Sequence, residues 1–491
     1  MKSHRFVSLY AVLAFAVLLM LAAAVSNSAP RVVYAAQGLL QHPIQFNGGG
    51  AVAESAVVAD VNGDGIPDVI VASQNGNSDG TVGVLLGFGN GNFQPTVAYD
   101  SGGSHAFSVA VADLNGDGKA DIVVLNTLNS NTVGVLLGHG DGTFSPAVTY
   151  AAGGGGVAVA DVNGDGIPDI ITSGVGVLLG NGDGTFRPVV YYGSGGGNGI
   201  ALADVNGDGK LDVVVGDLAG STGHVGVLLG NGDGTFQPEV LYASGGIQPY
   251  SVAVGDVNGD GKPDIAVSNY CTDGSCAGNG TAAVLLGNGD GTFQAATTYN
   301  SGGKFAEAVA IGDVDGDGKP DLIVGNYCEA GKTGACSRKG AVSVLLGDGH
   351  GNFEASTTFL TPTPVGSVAV ADVNGGRPDV ILASLSSSVM ALFGEAVATT
   401  TTVSASPNPS TVNQSVTLTA TIHPAFGQDF GGEGVGFYDG KTLIGFGTTY
   451  HGVATLTASF SSKGNHQIKA AFGKNLAFGK STGKMTQVVN P

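Results

Sequence analysis

The feature that most constrains this chain is a nine-residue acidic turn that it writes repeatedly. Asp60-Val-Asn62-Gly-Asp64-Gly65-Ile66-Pro-Asp68 reads D-x-[DN]-x-D-G-x-x-D, and the pattern begins again at Asp113, Asp161, Asp204, Asp256 and Asp313. A seventh copy, at Asp372, is one residue short and carries Gly376 where the position-5 carboxylate belongs. Side-chain oxygens at positions 1, 3, 5 and 9 of a tight loop point to a hard divalent cation. Ca2+ takes about 6 to 8 oxygen ligands at roughly 2.3 to 2.6 Å, and alternate residues of such a loop turn inward to one centre. Gly65 permits the sharp turn.

The expected ligand sets, with a backbone carbonyl at position 7, are Asp60, Asn62, Asp64, Ile66 and Asp68; Asp113, Asn115, Asp117, Lys119 and Asp121; Asp161, Asn163, Asp165, Ile167 and Asp169; Asp204, Asn206, Asp208, Lys210 and Asp212; Asp256, Asn258, Asp260, Lys262 and Asp264; and Asp313, Asp315, Asp317, Lys319 and Asp321. That makes about six Ca2+ ions. Asn, Asp and Gly also dominate turns without any metal. The position-9 Asp, kept in all six copies and required by no turn type, favours metal. Nearly half of the 39 acidic residues sit in these loops, and six divalent ions would bring the formal charge from −20 to −8. The acidity is therefore a metal signature, and together with the lack of a basic stripe it argues against nucleic acid as a partner.

The motifs recur at steps of 43 to 59 residues, a period that belongs to propellers, solenoids or arrays. Each unit carries four short apolar runs separated by Gly, Asn and Asp turns. In the second unit these are Ser108-Val-Ala-Val-Ala112, Asp121-Ile-Val-Val-Leu125, Thr132-Val-Gly-Val-Leu-Leu137 and Pro146-Ala-Val-Thr-Tyr150. Four strands per unit predict propeller blades. The turn before the fourth strand, Gly138-His-Gly-Asp-Gly-Thr-Phe144, recurs almost verbatim. Its Asp is assigned a structural role and its Phe a place between neighbouring blades. The last unit lacks a fourth strand, while an orphan strand, Pro43-Ile44-Gln-Phe46, precedes the first. The orphan is expected to complete the seventh blade and leave no free edge at the seam. The fold expected is all-β: a seven-bladed β-propeller closed by an N-terminal strand, followed by a small sandwich.

The metal loop, the flanking strands and the Leu-Leu-Gly-x-Gly-Asp-Gly-x-Phe turn, in fixed order over residues 37–395, resemble FG-GAP/VCBS repeats, the calcium-binding blades also found in the integrin α-subunit propeller. The resemblance implies that the metal loop joins the innermost strand to the second on one face of the disc, and that ligands often meet the opposite face. After a linker at 396–401, residues 402–491 alternate in strand fashion and are similar to bacterial Ig-like repeats, with Phe437-Tyr-Asp-Gly-Lys-Thr-Leu-Ile-Gly445 as the recognisable hairpin.

Residues 1–36 read as an export signal, with Lys2 and Arg5 before an apolar run long enough that an uncleaved membrane anchor is the alternative. The four cysteines are expected to form two loop disulfides, Cys271 with Cys276 and Cys328 with Cys336, with crosswise pairing as the alternative. There is no H-E-x-x-H and no G-x-S-x-G, and His105, His139, His224 and His350 read as solvated loop residues. The function expected is a secreted or cell-surface, calcium-stabilised, non-catalytic binding or adhesion protein, monomeric, taking an extracellular glycan or protein on the face opposite the calcium loops. The Ser-Gly-Gly segments at Ser101, Ser194, Ser244 and Ser301 are expected to lie on that face. The alternative is a secreted polysaccharide hydrolase or lyase on the same scaffold. An enzyme would show carboxylates or a His, Arg or Tyr group converging there.

Overall fold

The computed structural model describes residues 39–40, 43–76, 79–128, 131–193, 197–217, 223–329, 339–394, 399–424, 434–450, 452–473 and 480–491. The expected export segment 1–36 lies outside them. Among the described residues there is no helix, and seven antiparallel sheets have four strands each.

The first sheet shows how the sequence builds each one. Val52–Ala59 runs into the acidic turn, Asp68–Asn75 leaves it, and Asp79–Leu85 and Val97–Asp100 follow in order. The second strand is buried from Asp68 to Ser73, so its continuous β-branched run suits a strand covered on both faces, whereas the fourth is largely exposed. Five further sheets repeat this order within residues 104–151, 157–191, 200–243, 247–300 and 303–361. The last sheet holds Val365–Ala371, Asp379–Ser384 and Ser388–Leu392, and its fourth strand is Ile44–Asn47 from the other end of the chain. Ile44 pairs with Ala391 and Phe46 with Val389.

Apolar clusters join the sheets face to face in sequence order. Ile70 and Val82 of the first sheet meet Ile122 and Val124 of the second, and the pattern continues to Ile323 and Val344 of the sixth against Leu382 and Met390 of the last. Val69, Val71 and Leu85 of the first sheet meet Ile381, Val389 and Ala391 of the last in the same manner. Edge-to-face aromatic pairs, an arrangement favoured by the ring quadrupoles, reinforce these interfaces. Tyr99 of the first sheet meets Phe144 of the second at 5.5 Å, and Tyr150–Phe186, Tyr192–Phe236, Tyr242–Phe293 and Tyr299–Phe353 repeat it. Phe46, on the strand donated to the last sheet, meets Phe93 of the first at 5.0 Å. These turn Phe residues therefore pack between sheets as expected.

The C-terminal region forms a three-stranded and a five-stranded sheet over one core that includes Leu418, Val435, Phe437, Ile468 and Phe472. Its first strand is Thr399–Ser406, so residues 399–401, expected in the linker, are already paired, Thr399 with Pro424. The predicted hairpin is Gly434–Asp439 against Thr442–Thr448.

Because Ile44–Asn47 alone covers the outer edge of Ser388–Leu392, we predict that Phe46→Ala costs about 2 kcal/mol of stability. It should also speed amide exchange at Ser388–Leu392 well before the second sheet is affected. Hydrogen exchange with unchanged protection there would refute the role given to this strand.

Candidate functional site

In each intact acidic turn, the position-1 carboxylate organises the loop backbone. Asp60 accepts from the N–H groups of Gly63 at 2.7 Å and Gly65 at 2.8 Å, while Asn62 accepts from Asp64 N–H at 2.9 Å and Asp64 from Ile66 N–H at 2.8 Å. The loops at Asp113, Asp161, Asp204, Asp256 and Asp313 repeat the two position-1 bonds. The oxygens of positions 1, 3 and 5 are thus gathered by turn hydrogen bonds and keep lone pairs for a further partner. In the sixth loop, ligand oxygens of Asp313, Asp315 and Asp317 all lie within 4.8 Å of one another. Lys119, Lys210, Lys262 and Lys319, at position 7, pair with the position-5 Asp at 2.9 to 4.0 Å, close to solvent, where such pairs contribute little.

The position-9 carboxylates have a role that the linear motif does not show. Asp68 is fully buried and accepts from Val61 N–H at 2.9 Å and from Gly87 N–H at 2.7 Å. The second donor lies just past the end of the third strand. Asp121, Asp169, Asp212, Asp264 and Asp321 make the same two bonds, to Leu114 and Gly138, Val162 and Gly180, Val205 and Gly230, Val257 and Gly287, and Val314 and Gly347. Asp379 makes them in the damaged seventh copy, to Val373 and Gly394. The retained Asp therefore has a structural purpose that does not depend on metal. Glycine is needed at the second donor: a Cβ on Gly87 would lie 2.2 Å from the Pro67 carbonyl oxygen. Arg377 of the short loop directs its guanidinium to the carbonyls of Asp315, at 2.8 Å in the sixth loop, and of Gly394.

The donor set fits a hard cation: every side-chain donor is oxygen, and the buried carboxylates sit beside like charges. Burial, with the charges of Asp64 and Asp60 added, pushes Asp68 up to about 6; Asp169, Asp212 and Asp264 reach about 6 in the same way, and Asp321 about 7. Asp60, Asn62, Asp64 and their counterparts would hold a divalent ion, whose charge would relieve this repulsion.

Other residues that the repeats share serve the scaffold. Asp141, Asp183, Asp233 and Asp290 each accept from the hydroxyl and N–H of the Thr two residues on, as turn residues do. Ser101 and Ser244 are buried and lock strands by donating to the Asn126 and Asn269 side chains at 2.6 Å. Ser301 is buried too, and Ser194 lies outside the described residues. The Ser-Gly-Gly hydroxyls are therefore not available to a ligand at Ser101, Ser244 and Ser301. Cys271 and Cys276 form the expected disulfide. Cys328 is disulfide-bonded, and its expected partner Cys336 lies outside the described residues.

At the opposite end of the first strands, residues from all seven sheets line one cavity of about 230 Å³. Five of the first strands carry a β-bulge there, and the extra residues are Glu54, Phe107, Tyr250, Glu307 and Gly366. A bulge re-aims its unpaired side chain, and all five line the cavity. Glu54 accepts from Gln74 Nε2 at 3.0 Å and meets His105 Nε2 at 3.1 Å, while His105 Nδ1 meets Thr127 Oγ1 at 3.1 Å. His105 is thus a half-buried strand residue held by Glu54 and Thr127, not a solvated loop residue, and His224 begins the strand His224–Leu228. Glu307 is 7% exposed, and burial followed by the charge of Glu54 pushes it up to about 8. The Tyr250 hydroxyl bonds the Asn198 side chain and is pushed well above its ordinary value, first by burial and then by Glu307. One sequence signal marks these positions: they differ from repeat to repeat while their neighbours recur.

A model of the FG-GAP-like repeat matches residues 60–124, 115–172, 172–215, 204–267 and 272–324, more than half of the chain, and one of the FG-GAP repeat matches 305–345. A model of the bacterial Ig-like domain of group 3 matches 403–490. Integrin alpha-IIb of Homo sapiens is 32% identical over 163 residues, which is 29% of this chain and 15% of that protein, so the chain spans a small part of that relative. Two crystal structures of BBS1N in complex with ARL6DN, soaked with mercury and with lead, align at 11% identity with TM-scores of 0.45 and 0.47, over 72% of this chain and 97% of theirs.

The two kinds of Asp should respond differently to substitution. Asp379→Ala should destabilise the protein with or without calcium, by about 2 to 4 kcal/mol, because two buried N–H groups lose a charged acceptor. Asp64→Ala, which in chelator loses only exposed turn bonds, should weaken it chiefly where calcium is present. Denaturant titrations of both variants with calcium and with chelator decide the matter. A further prediction concerns pH. A carboxyl held above its unfolded value of 3.8 stabilises the fold below that value, and the gain is lost as pH rises through the folded values of about 6 to 7. In chelator, melting temperature should therefore rise on acidification from about pH 7.5 to about pH 5; calcium, which favours the ionised form, should flatten or reverse that slope. Parallel slopes in the two media would contradict the assignment.

Proposed function

The chain belongs to the FG-GAP repeat family, and from that membership we propose a secreted or surface-held binding protein: a closed seven-bladed β-propeller braced by about six calcium ions, carrying its ligand site on the face opposite the acidic loops. The observation that carries this reading is the division of labour along the first strands. One end of each runs into an oxygen-rich turn; the other ends converge on a cavity whose lining changes from sheet to sheet. Closure is supported by the pairing of Ile44–Asn47 with Ser388–Leu392 and by the shared core of the first and last sheets. Calcium is supported by the donor chemistry and by the Asp313, Asp315 and Asp317 cluster. Surface localisation draws support from the Ig-like domain, the disulfide and the integrin likeness. The Ig-like domain serves as spacer or docking module, and the ligand is a glycan or a protein.

A second reading, a polysaccharide hydrolase or lyase, is favoured by one observation: Glu54, Glu307 and Tyr250 line the cavity, and His105 bonds Glu54 beside it. A carboxyl raised to about 8 by burial is suited to donate a proton.

If each site sees free calcium about 100-fold above its dissociation constant, each adds roughly 2.7 kcal/mol to folding. Millimolar calcium should accordingly raise the melting temperature of the full chain strongly, and a glycan and protein array should return ligands in calcium that disappear in chelator. An unchanged melting temperature would overturn the calcium reading. Turnover of a polysaccharide that stops with Glu307→Gln would replace binding by catalysis.

A further inference from the structure

We propose that the cavity at the bulged ends of the first strands is a receptor for an ammonium group, held between Glu54 and Glu307 and against the rings of Tyr250 and Phe107. This deepens the reading that the face opposite the acidic loops binds the ligand, and rests on it.

A residue at a β-bulge has no partner across the ladder, so pairing does not dictate its type. In this chain the bulge residues are Glu54, Phe107, Tyr250, Glu307 and Gly366, and they share one cavity. Glu307 supplies the independent sign of a missing partner. It is 7% exposed, lines the cavity, and among the described residues makes no hydrogen bond or ion pair. A largely buried carboxyl that meets only the cavity is poised to accept from a donor that enters it.

Among the described residues, no Lys or Arg lines the cavity to neutralise the two glutamates. Lys304, on the same strand as Glu307, gives its ammonium to the Ala277 carbonyl at 2.9 Å. Glu54 is already oriented by Gln74 and His105, so it presents a fixed acceptor. A bare metal ion fits less well. Among the described residues, Glu54 and Glu307 are the only carboxylates in the cavity lining, far short of the about 6 to 8 oxygens that a hard cation such as calcium gathers. Aromatic walls then discriminate an organic cation from a hydrated one, because a ring face attracts an ammonium at about 0.5 to 2 kcal/mol. Tyr250 also opens a row of rings, stacking on Tyr270 at 6.0 Å, which stacks on Phe305 at 4.6 Å. This row offers a surface for a short apolar or sugar-like body behind the ammonium.

The test uses the full chain, saturated with calcium so that the scaffold is held constant. Calorimetric titration compares 1,5-diaminopentane and glucosamine with their neutral counterparts 1,5-pentanediol and glucose. The amines should bind and the hydroxyl compounds should bind at least about tenfold more weakly. Glu307→Gln, which keeps shape and leaves no carboxyl to ionise against the ammonium, should lose about 10- to 100-fold in affinity for the amines, the range expected for a charge-assisted hydrogen bond. The melting temperature of this variant in calcium reports whether it folds, and Glu54→Gln should give a second, independent loss. Equal binding of amine and neutral partner, no binding of either amine at millimolar concentration, or unchanged affinity in a folded Glu307→Gln would each overturn the proposal. Calcium-dependent melting together with absent amine binding would leave the scaffold reading standing and remove only this one.

Discussion

One buried carboxylate per repeat ties three strand ends together. Position 9 of the acidic turn opens the second strand, bonds the N–H of a residue just past the end of the first, and bonds the glycine N–H just past the end of the third. Hydrogen bonds to an ionised acceptor are about twice as strong as neutral ones, so a single side chain can fix the relative heights of three strands. The cost is that burial, with the nearby carboxylates of the same turn added, raises the position-9 group. A cation in the turn would offset that cost. The structural and metal roles of the motif are therefore coupled: the turn suited to an ion is also the corner at which each sheet is squared.

The corner also sets the contact between sheets. The residue whose N–H meets the position-9 carboxylate is Val61, Leu114, Val162, Val205, Val257, Val314 or Val373, and each is buried in the apolar cluster shared by two sheets. Backbone bonding and core packing are thus linked within one residue. Near the other end of the strands, Ser hydroxyls bridge neighbours: Ser367 of the last sheet accepts from Ala56 N–H of the first at 3.0 Å, and Ser108 from Val157 N–H at 3.2 Å. The seam between the chain ends relies on contacts distant in sequence, Ile44 with Ala391 and Phe46 with Val389. Loop-closure entropy grows only logarithmically with such a separation, so one short strand with an aromatic pair suffices as a clasp for a scaffold whose other interfaces are local.

Much of this is legible in the sequence because repeats average out local ambiguity. Strand order, the orphan strand and its place in the last sheet, the turn Phe between sheets and the Cys271–Cys276 disulfide all follow from patterns written several times or from spacing. Two things are not legible. Spacing alone makes the position-9 Asp a ligand, because a linear motif does not reveal that a glycine 11 to 26 residues later donates to it. The apolar residue at position 2 looks like a free position in a ligand motif, although it is Val or Leu in every copy. His105 escapes for a related reason: strand periodicity breaks at a bulge, and the segment before Phe107 then reads as loop.

The bulges explain where variety is allowed in a chain that otherwise copies itself. Positions that staple corners or plug interfaces are constrained by several partners at once, so they recur. A bulged residue leaves the ladder, so cross-strand pairing no longer dictates its type. His105, Gln248 and Phe305, each two residues before a bulge residue, adopt φ of 61°, 55° and 59°, a left-handed conformation that is unfavourable for side chains of this size. At the opposite ends of the strands the corner hydrogen bonds repeat from sheet to sheet with nearly the same lengths. The fold has therefore concentrated its irregularity at the convergence of all seven sheets. At that convergence the bulges place Glu54, Phe107, Tyr250, Glu307 and Gly366 side by side, and it is there that the repeats of this chain stop being interchangeable.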